Sequence, residues 1–230
     1  MLRPLLADLW ALFFPRPCLA CHEPLVTGEA HLCTTCRAEL PYTDYHLLTP
    51  DQNPLARRFW GKIPVRHTFS YLRFLRHGRV QQLLHQLKYK GQSQVGSALG
   101  QLYGAELASV GLGQEFDLIV PVPLHRRKLA RRGYNQADAF ATGLAAALRC
   151  PNAANALRRT EHTTSQTRKG RAARWQNVAT VFEVAEPKTV AGRHILLVDD
   201  VLTTGATLEA CGAALLAAGA QTVSIATIAS

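Results

Sequence analysis

Residues 195–198, Ile-Leu-Leu-Val, offer no polar side to solvent, and two aspartates follow them directly. An apolar run of this length fits a strand covered on both faces. Thr203, Thr204, Gly205, Ala206 and Thr207 then form a turn, residues 208–218 have helical composition, Gly219 is placed to end that helix, and residues 222–229 supply another strand. Strand, helix and strand in this order predict a parallel pair joined by a crossover. The expected class is α/β, a parallel-sheet core with helices on both faces.

The polar residues of the same stretch carry its chemistry. In an open parallel sheet ligands collect beyond the carboxyl ends of the strands, where Asp199 and Asp200 fall. Adjacent carboxylates can accept hydrogen bonds from vicinal hydroxyls or reach a hard cation such as Mg2+. The turn from Thr203 to Thr207 offers backbone N–H groups, hydroxyls and a helix N-terminus, which suit a phosphate monoester. A diol and a phosphate on one ligand suggest a ribose 5-phosphate. The plainer alternative is a strand-turn-helix in which the Asp pair serves as a cap.

As a whole, ILLVDDVLTTGAT closely resembles the phosphoribosyl pyrophosphate (PRPP) signature of the type I phosphoribosyltransferases. That resemblance implies that Asp199 and Asp200 hold the ribose hydroxyls and that Thr203, Thr204, Gly205, Ala206 and Thr207 cradle the 5-phosphate. A second buried strand is expected over residues 117–123, DLIVPVP, followed by His125, Arg126, Arg127 and Lys128. By position these match the loop that takes the pyrophosphate in such enzymes, so Arg126, Arg127 and Lys128 are its expected ligands. Residues 158–177 carry six Lys or Arg against one Glu, and resemble the mobile loop that closes over PRPP. Closure would keep water from a reactive ester; a solvated surface loop is the alternative.

Cys18 and Cys21, then eleven residues, then Cys33 and Cys36 make two CxxC knuckles. Two knuckles complete a tetrahedral S4 site, for which zinc is the usual occupant, and four thiolates leave no open position for a substrate. The zinc is therefore expected to be structural, with two disulfides or a redox pair as alternatives. His22 and His31 flank the ligands and read as surface residues. Cys150 and Cys211 sit among apolar neighbours, and a reducing compartment suits the set.

Leu2, Leu5, Leu6, Leu9 and Phe13 recur at helical spacing. Asp8 interrupts that run and only Arg3 precedes it, which argues against a signal peptide. No stretch reaches the ~20 apolar residues that span a bilayer, and a cytoplasmic location is expected. Pro41, Pro50, Pro54 and Pro64 break residues 41–66, placing a boundary between a zinc-binding module at 1–66 and a phosphoribosyltransferase-like domain at 67–230. A weakly alternating strand over 68–75 and helices over 79–87, 95–110 and 136–148 complete the expected elements. A net charge of +10, carried largely by Arg, points to an anionic partner without separating PRPP, nucleic acid and anionic lipid.

The cysteine module, LKYKG at 87–91, PVPLHRRKLARRGYNQA at 121–137, Thr164-Ser165-Gln166 with Arg171 and Asn177, and VDDVLTTGAT at 198–207 together resemble the ComF family, the bacterial competence proteins and their GntX-type relatives. The resemblance covers nearly the whole chain. It implies a zinc module on a phosphoribosyltransferase domain, and a role in DNA uptake during natural transformation or in DNA utilisation, with proteins of the uptake machinery as partners. One strand after the signature the chain ends, so the hood that selects an acceptor is expected from residues 1–90. Two classes of function stay open on the residues. One is an enzyme that binds PRPP with Mg2+ and transfers its ribosyl group. The other is a non-catalytic binding protein that holds single-stranded DNA and retains the PRPP-like site as a ligand sensor or phosphate anchor, with Trp60 beside Arg57, Arg58 and Lys62, Tyr89 beside Lys88 and Lys90, and Trp175 beside Arg174 as stacking candidates. Burial in the core is the expected state of each aromatic.

Overall fold

The computed structural model describes residues 16–160 and 181–230. Strands β1 (Thr68–Leu72), β2 (Leu118–Pro121), β5 (His194–Val201) and β6 (Thr222–Ala229) pair in parallel, in the order β1-β6-β5-β2. Two further strands, β3 (Leu157–Arg159) and β4 (Phe182–Val184), form a separate antiparallel pair. Helices α1 (Thr34–Glu39), α2 (Arg79–Tyr89), α3 (Ser93–Ser109), α4 (Arg126–Arg132), α5 (Gln136–Leu148), α6 (Pro187–Val190) and α7 (Ala206–Ala217) complete the elements.

Alternation along β5 explains why residues 195–198 are apolar throughout. Ile195 and Leu197 enter one core cluster, with Val120, Val223 and Ile225 and with Leu208, Cys211 and Leu215 of α7. Leu196 and Val198 point the other way, into a cluster with Leu83 and Leu87 of α2, Leu99 of α3 and Phe140 and Leu144 of α5. Both faces are covered, as expected of a parallel sheet. On the second face α3 and α5 approach closely through Gly96, Gly100, Gly104 and Gly143. A Cβ on Gly100 would overlap the carbonyl oxygen of Phe140, so the crossing depends on its having none.

Strand β1 stops at Leu72, earlier than its expected end at 75, and is buried on both faces instead of alternating. Its outer edge would expose unpaired backbone groups. Residues 42–53 close that edge. The Thr43 N–H donates to the Tyr71 carbonyl at 3.1 Å, the Thr43 hydroxyl donates to the Ser70 carbonyl, and Asn53 Nδ2 donates to the Thr68 carbonyl at 2.6 Å. The proline-broken stretch 41–66 thus contains only short helical turns, at Tyr45–Leu47 and Ala56–Arg58, yet packs closely. Its Leu55, Phe59 and Ile63 enter the α7-side cluster.

The basic segment after β2 differs from expectation: it is helix α4, not a loop. His125 Nδ1 accepts from the Arg127 N–H at 3.2 Å, and Gly133, at φ +79°, ends the helix. Between these caps lie only residues of good helix propensity. Arg158 and Arg159, expected to open the long loop, lie in β3. Residues 161–177 of that loop and the expected helix at Leu2, Leu5, Leu6, Leu9 and Phe13 fall outside the described residues. Among the described residues no helix is long and apolar enough to cross a membrane.

Candidate functional site

The thiols of Cys18, Cys21, Cys33 and Cys36 all lie within 4.8 Å of one another. A tetrahedral zinc with bonds of about 2.3 Å sets its sulfurs about 3.8 Å apart, and Cys21 Sγ and Cys33 Sγ are separated by 3.8 Å. All six cysteines are free thiols, and the mutual clustering of four suits shared metal ligation better than two separate disulfides. Burial raises the Cys18 thiol, but backbone N–H groups of Cys21, Cys33 and Ala20 outweigh it and bring it down to about 7. Burial and the neighbouring thiols push Cys36 up. Four thiolates cannot share this space without a cation, and the donor set fits one structural zinc. His31 is half-buried and His22 is exposed, its Nε2 3.2 Å from Gln86 Nε2.

The second site opens at the carboxyl ends of β2 and β5. A hollow of about 200 Å³ there is lined by Asp199, Asp200, Thr207, Lys88, His125, Lys128, Arg132, Asn135 and Arg159, among others. Consecutive strand residues face opposite sides. Asp200 therefore continues the Leu196–Val198 side, where α2 brings Lys88 Nζ to 3.0 Å from its Oδ2. Asp199 continues the α7 side, and its Oδ1 accepts from the Asp200 N–H at 2.8 Å. Burial, reinforced by the charge of Asp200 and only partly opposed by Lys88, pushes the Asp199 carboxyl up to about 7.

Beyond Asp199 the chain turns through Thr203, Thr204, Gly205, Ala206 and Thr207, which line a hollow of about 40 Å³. Gly205 is buried at φ +85°, a backbone conformation that costs glycine little, and caps α7 without a side-chain hydrogen bond. Thr203, Thr204, Ala206 and Thr207 are exposed around it. Hydroxyls and the N-terminus of a 12-residue helix thus converge on a space suited to a phosphate.

Of the expected pyrophosphate ligands, Lys128 lines the larger hollow, whereas Arg126 and Arg127 are exposed and do not. The cations that join Lys128 come from elsewhere in the chain: Lys88 from α2, Arg132 from the last turn of α4, and Arg159 from β3. Arg132 Nη1 donates to Gln136 Oε1 at 2.7 Å and its guanidinium lies over the Tyr89 ring, while its buried Nε has no partner among the described residues. Lys88, Arg132 and Arg159 were visible as residues of LKYKG, of the basic run and of the long loop, but their convergence on the aspartates was not. A wider hollow of about 720 Å³ lies between the cysteine knuckle and α2, lined by His22, His77, His85 and Gln86, and of the predicted site residues only Cys21 reaches it.

A parallel sheet carrying the aspartates and the Thr203–Thr207 turn after β5, preceded by a four-cysteine ribbon, defines a phosphoribosyltransferase-type protein with an N-terminal zinc module. Sequence profiles agree: "Phosphoribosyl transferase domain" matches residues 130–230 and "Double zinc ribbon domain" matches residues 9–46. The chain is 32% identical over 227 residues to the DNA utilization protein YhgH of Shigella flexneri, covering 92% of this chain and 95% of that one. It is 27% identical to Competence protein F of Haemophilus influenzae (93% and 96% covered) and 26% identical to Competence protein ComFC of Bacillus subtilis (91% and 83%). The chain belongs to the ComF family of competence and DNA-utilization proteins.

Proposed function

We propose that the crevice at β5 binds PRPP with Mg2+ and that the protein is a phosphoribosyltransferase acting in the uptake or use of DNA, as the names of its relatives suggest. The observation that carries this reading is the placement of Asp199 and Asp200 between a phosphate-sized turn and a cationic wall. The 5-phosphate would sit on Thr203, Thr204, Gly205, Ala206 and Thr207, with the ribose hydroxyls on Asp199 and Asp200. Lys88, Lys128, Arg132 and Arg159 would face the pyrophosphate, with Arg126 and Arg127 engaging it only from the rim. Mg2+, when bound with PRPP, would neutralise charge on the leaving pyrophosphate. As an acceptor displaces pyrophosphate at the anomeric carbon, positive charge develops on the sugar, and the carboxylates beside it are placed to stabilise that charge. We further propose a cytoplasmic location and a division of labour in which residues 1–66 hold zinc and face partners of the uptake machinery, while residues 67–230 carry the chemistry.

The test is a calorimetric titration of PRPP and Mg2+ into the zinc-replete protein and into Asp199→Asn/Asp200→Asn. Binding by the wild type that the double variant loses is the expected result. A folded wild type without heat of binding would sink the reading.

A second reading, single-stranded DNA held on the same surface, draws on one difference from expectation. Tyr89 is 60% exposed and Trp60 58%, not buried, and Arg132 and Arg57 lie over their respective rings. Bases can stack on such aromatics while neighbouring cations meet the backbone. Trp175 lies outside the described residues. Affinity for an oligonucleotide that falls steeply with salt and drops in Tyr89→Ala would support this role; affinity indifferent to both would remove it.

A further inference from the structure

Residues 59–63 lie along the helix that carries the phosphate turn. Phe59 is 1% exposed, and its ring edge stands 3.3 Å from where a Cβ on Gly205 would be. Lys62 Nζ reaches Glu209 Oε2 at 3.3 Å, and Ile63 Cδ1 stands 2.7 Å from where a Cβ on Gly212 would be. Positions 205, 209 and 212 form one stripe along the first two turns of α7, at the i, i+4, i+7 spacing of a helix face. The strap is held in shape by its own turn, the N–H groups of Lys62 and Ile63 both donating to the Phe59 carbonyl, at 3.0 and 3.2 Å.

The contact at Gly205 bears on the phosphate turn directly. Gly205 is in the left-handed region with no side-chain cap, and four of the five turn residues are exposed. A glycine in this position can reach many other conformations. The Phe59 ring fills the space behind Gly205, in the same cluster as Leu202 and Leu208 on either side of the turn. We propose that Phe59 is a positioning residue for the phosphate turn: by packing behind Gly205 it holds the backbone N–H groups and hydroxyls of residues 203–207 in the geometry that receives a 5-phosphate. The proposal rests on the phosphate-binding reading of that turn, and it makes the proline-rich stretch before β1 part of the site without placing any of its atoms on the ligand.

The experiment compares wild type with Phe59→Ala and Phe59→Leu, each zinc-replete and full length. Ribose 5-phosphate and magnesium pyrophosphate are titrated separately, and amide hydrogen exchange is followed over residues 203–207 without ligand. Phe59→Ala is expected to bind ribose 5-phosphate about tenfold or more weakly, since small displacements of positioning groups are costly, while pyrophosphate affinity holds and exchange quickens at the turn but not along the rest of α7. Phe59→Leu, which keeps apolar volume but loses the ring edge, should fall between, and carries the comparison if the alanine variant does not fold. Equal loss for both ligands, or unchanged affinity and unchanged exchange, would overturn the proposal. If wild type itself ignores ribose 5-phosphate, the functional reading fails, and the exchange comparison still decides whether Phe59 holds the turn.

Discussion

Asp199 and Asp200 are neighbours in sequence but occupy different electrostatic surroundings, because a strand sends them to opposite faces. Asp200 meets Lys88, while Asp199, half-buried like its neighbour, has its carboxyl raised to about 7 by desolvation and the charge of Asp200. A carboxyl near 4 in the unfolded chain and near 7 in the fold makes the folded state the stronger proton binder between those values. That contribution to stability is present below about pH 4, declines as pH rises, and becomes a full penalty above about 7. Asp199→Asn should therefore melt higher than wild type at pH 8, by roughly 3 °C or more, with the gain shrinking toward pH 5.5, while PRPP binding is lost; zinc-replete melts across this range check it. Lys88→Met should weaken PRPP by about tenfold, ~1.4 kcal/mol, as read by calorimetry. The acidic half of the site was legible residue by residue, because adjacent residues on one strand need no fold to be brought together. The basic half was legible only in part, since Lys128 lines the crevice, whereas Arg126 and Arg127, in the same first turn of a helix that the sequence suggested was a loop, are exposed and do not.

Elements meet here through small residues. The α3–α5 crossing leaves no room for a side chain at Gly100, whereas at Gly113 the nearest atom to a new Cβ, Ala108 Cα, is 3.6 Å away. Gly100→Ala should cost roughly 2–4 kcal/mol or prevent folding, and Gly113→Ala should be close to neutral; urea midpoints of the two variants distinguish them. Gly212 is intermediate, because the atom a Cβ would meet there is the far end of the Ile63 side chain. Helices α3 and α5 were each legible from composition, but which of their glycines are indispensable depends on how closely the two cross, and 42 residues of chain lie between Gly100 and Gly143. Strand β1 was the least legible of the main strands, because it is a sheet edge whose outer backbone groups are met by Thr43 and Asn53 and not by a further strand.

At the scale of the molecule the zinc module is continuous with the sheet domain. Cys18, Leu32, Cys36 and Leu40 belong to the same apolar cluster as Leu72, Leu83 and Leu87. The boundary expected at 66 therefore falls within one shared apolar cluster. Removing zinc with a strong chelator should lower a single cooperative transition in calorimetry, with no separate melting of a small unit, and Cys36→Ser should do the same without chelator; an unchanged main transition would show that the ribbon is an independent appendage. Some of this was determined by sequence alone. The strand, carboxylate pair and phosphate turn at 195–207, and the paired CxxC knuckles, each act through residues a few positions apart, so local geometry suffices to assemble them. The order of the sheet decided the rest. Placing β5 between β2 and β6, with β1 at the far edge, brings Lys88 to the aspartates and Phe59 behind Gly205, and the separate β3–β4 pair adds Arg159. Those contacts join segments tens of residues apart, and no local pattern records them, because they are satisfied only when both faces of the sheet have been covered.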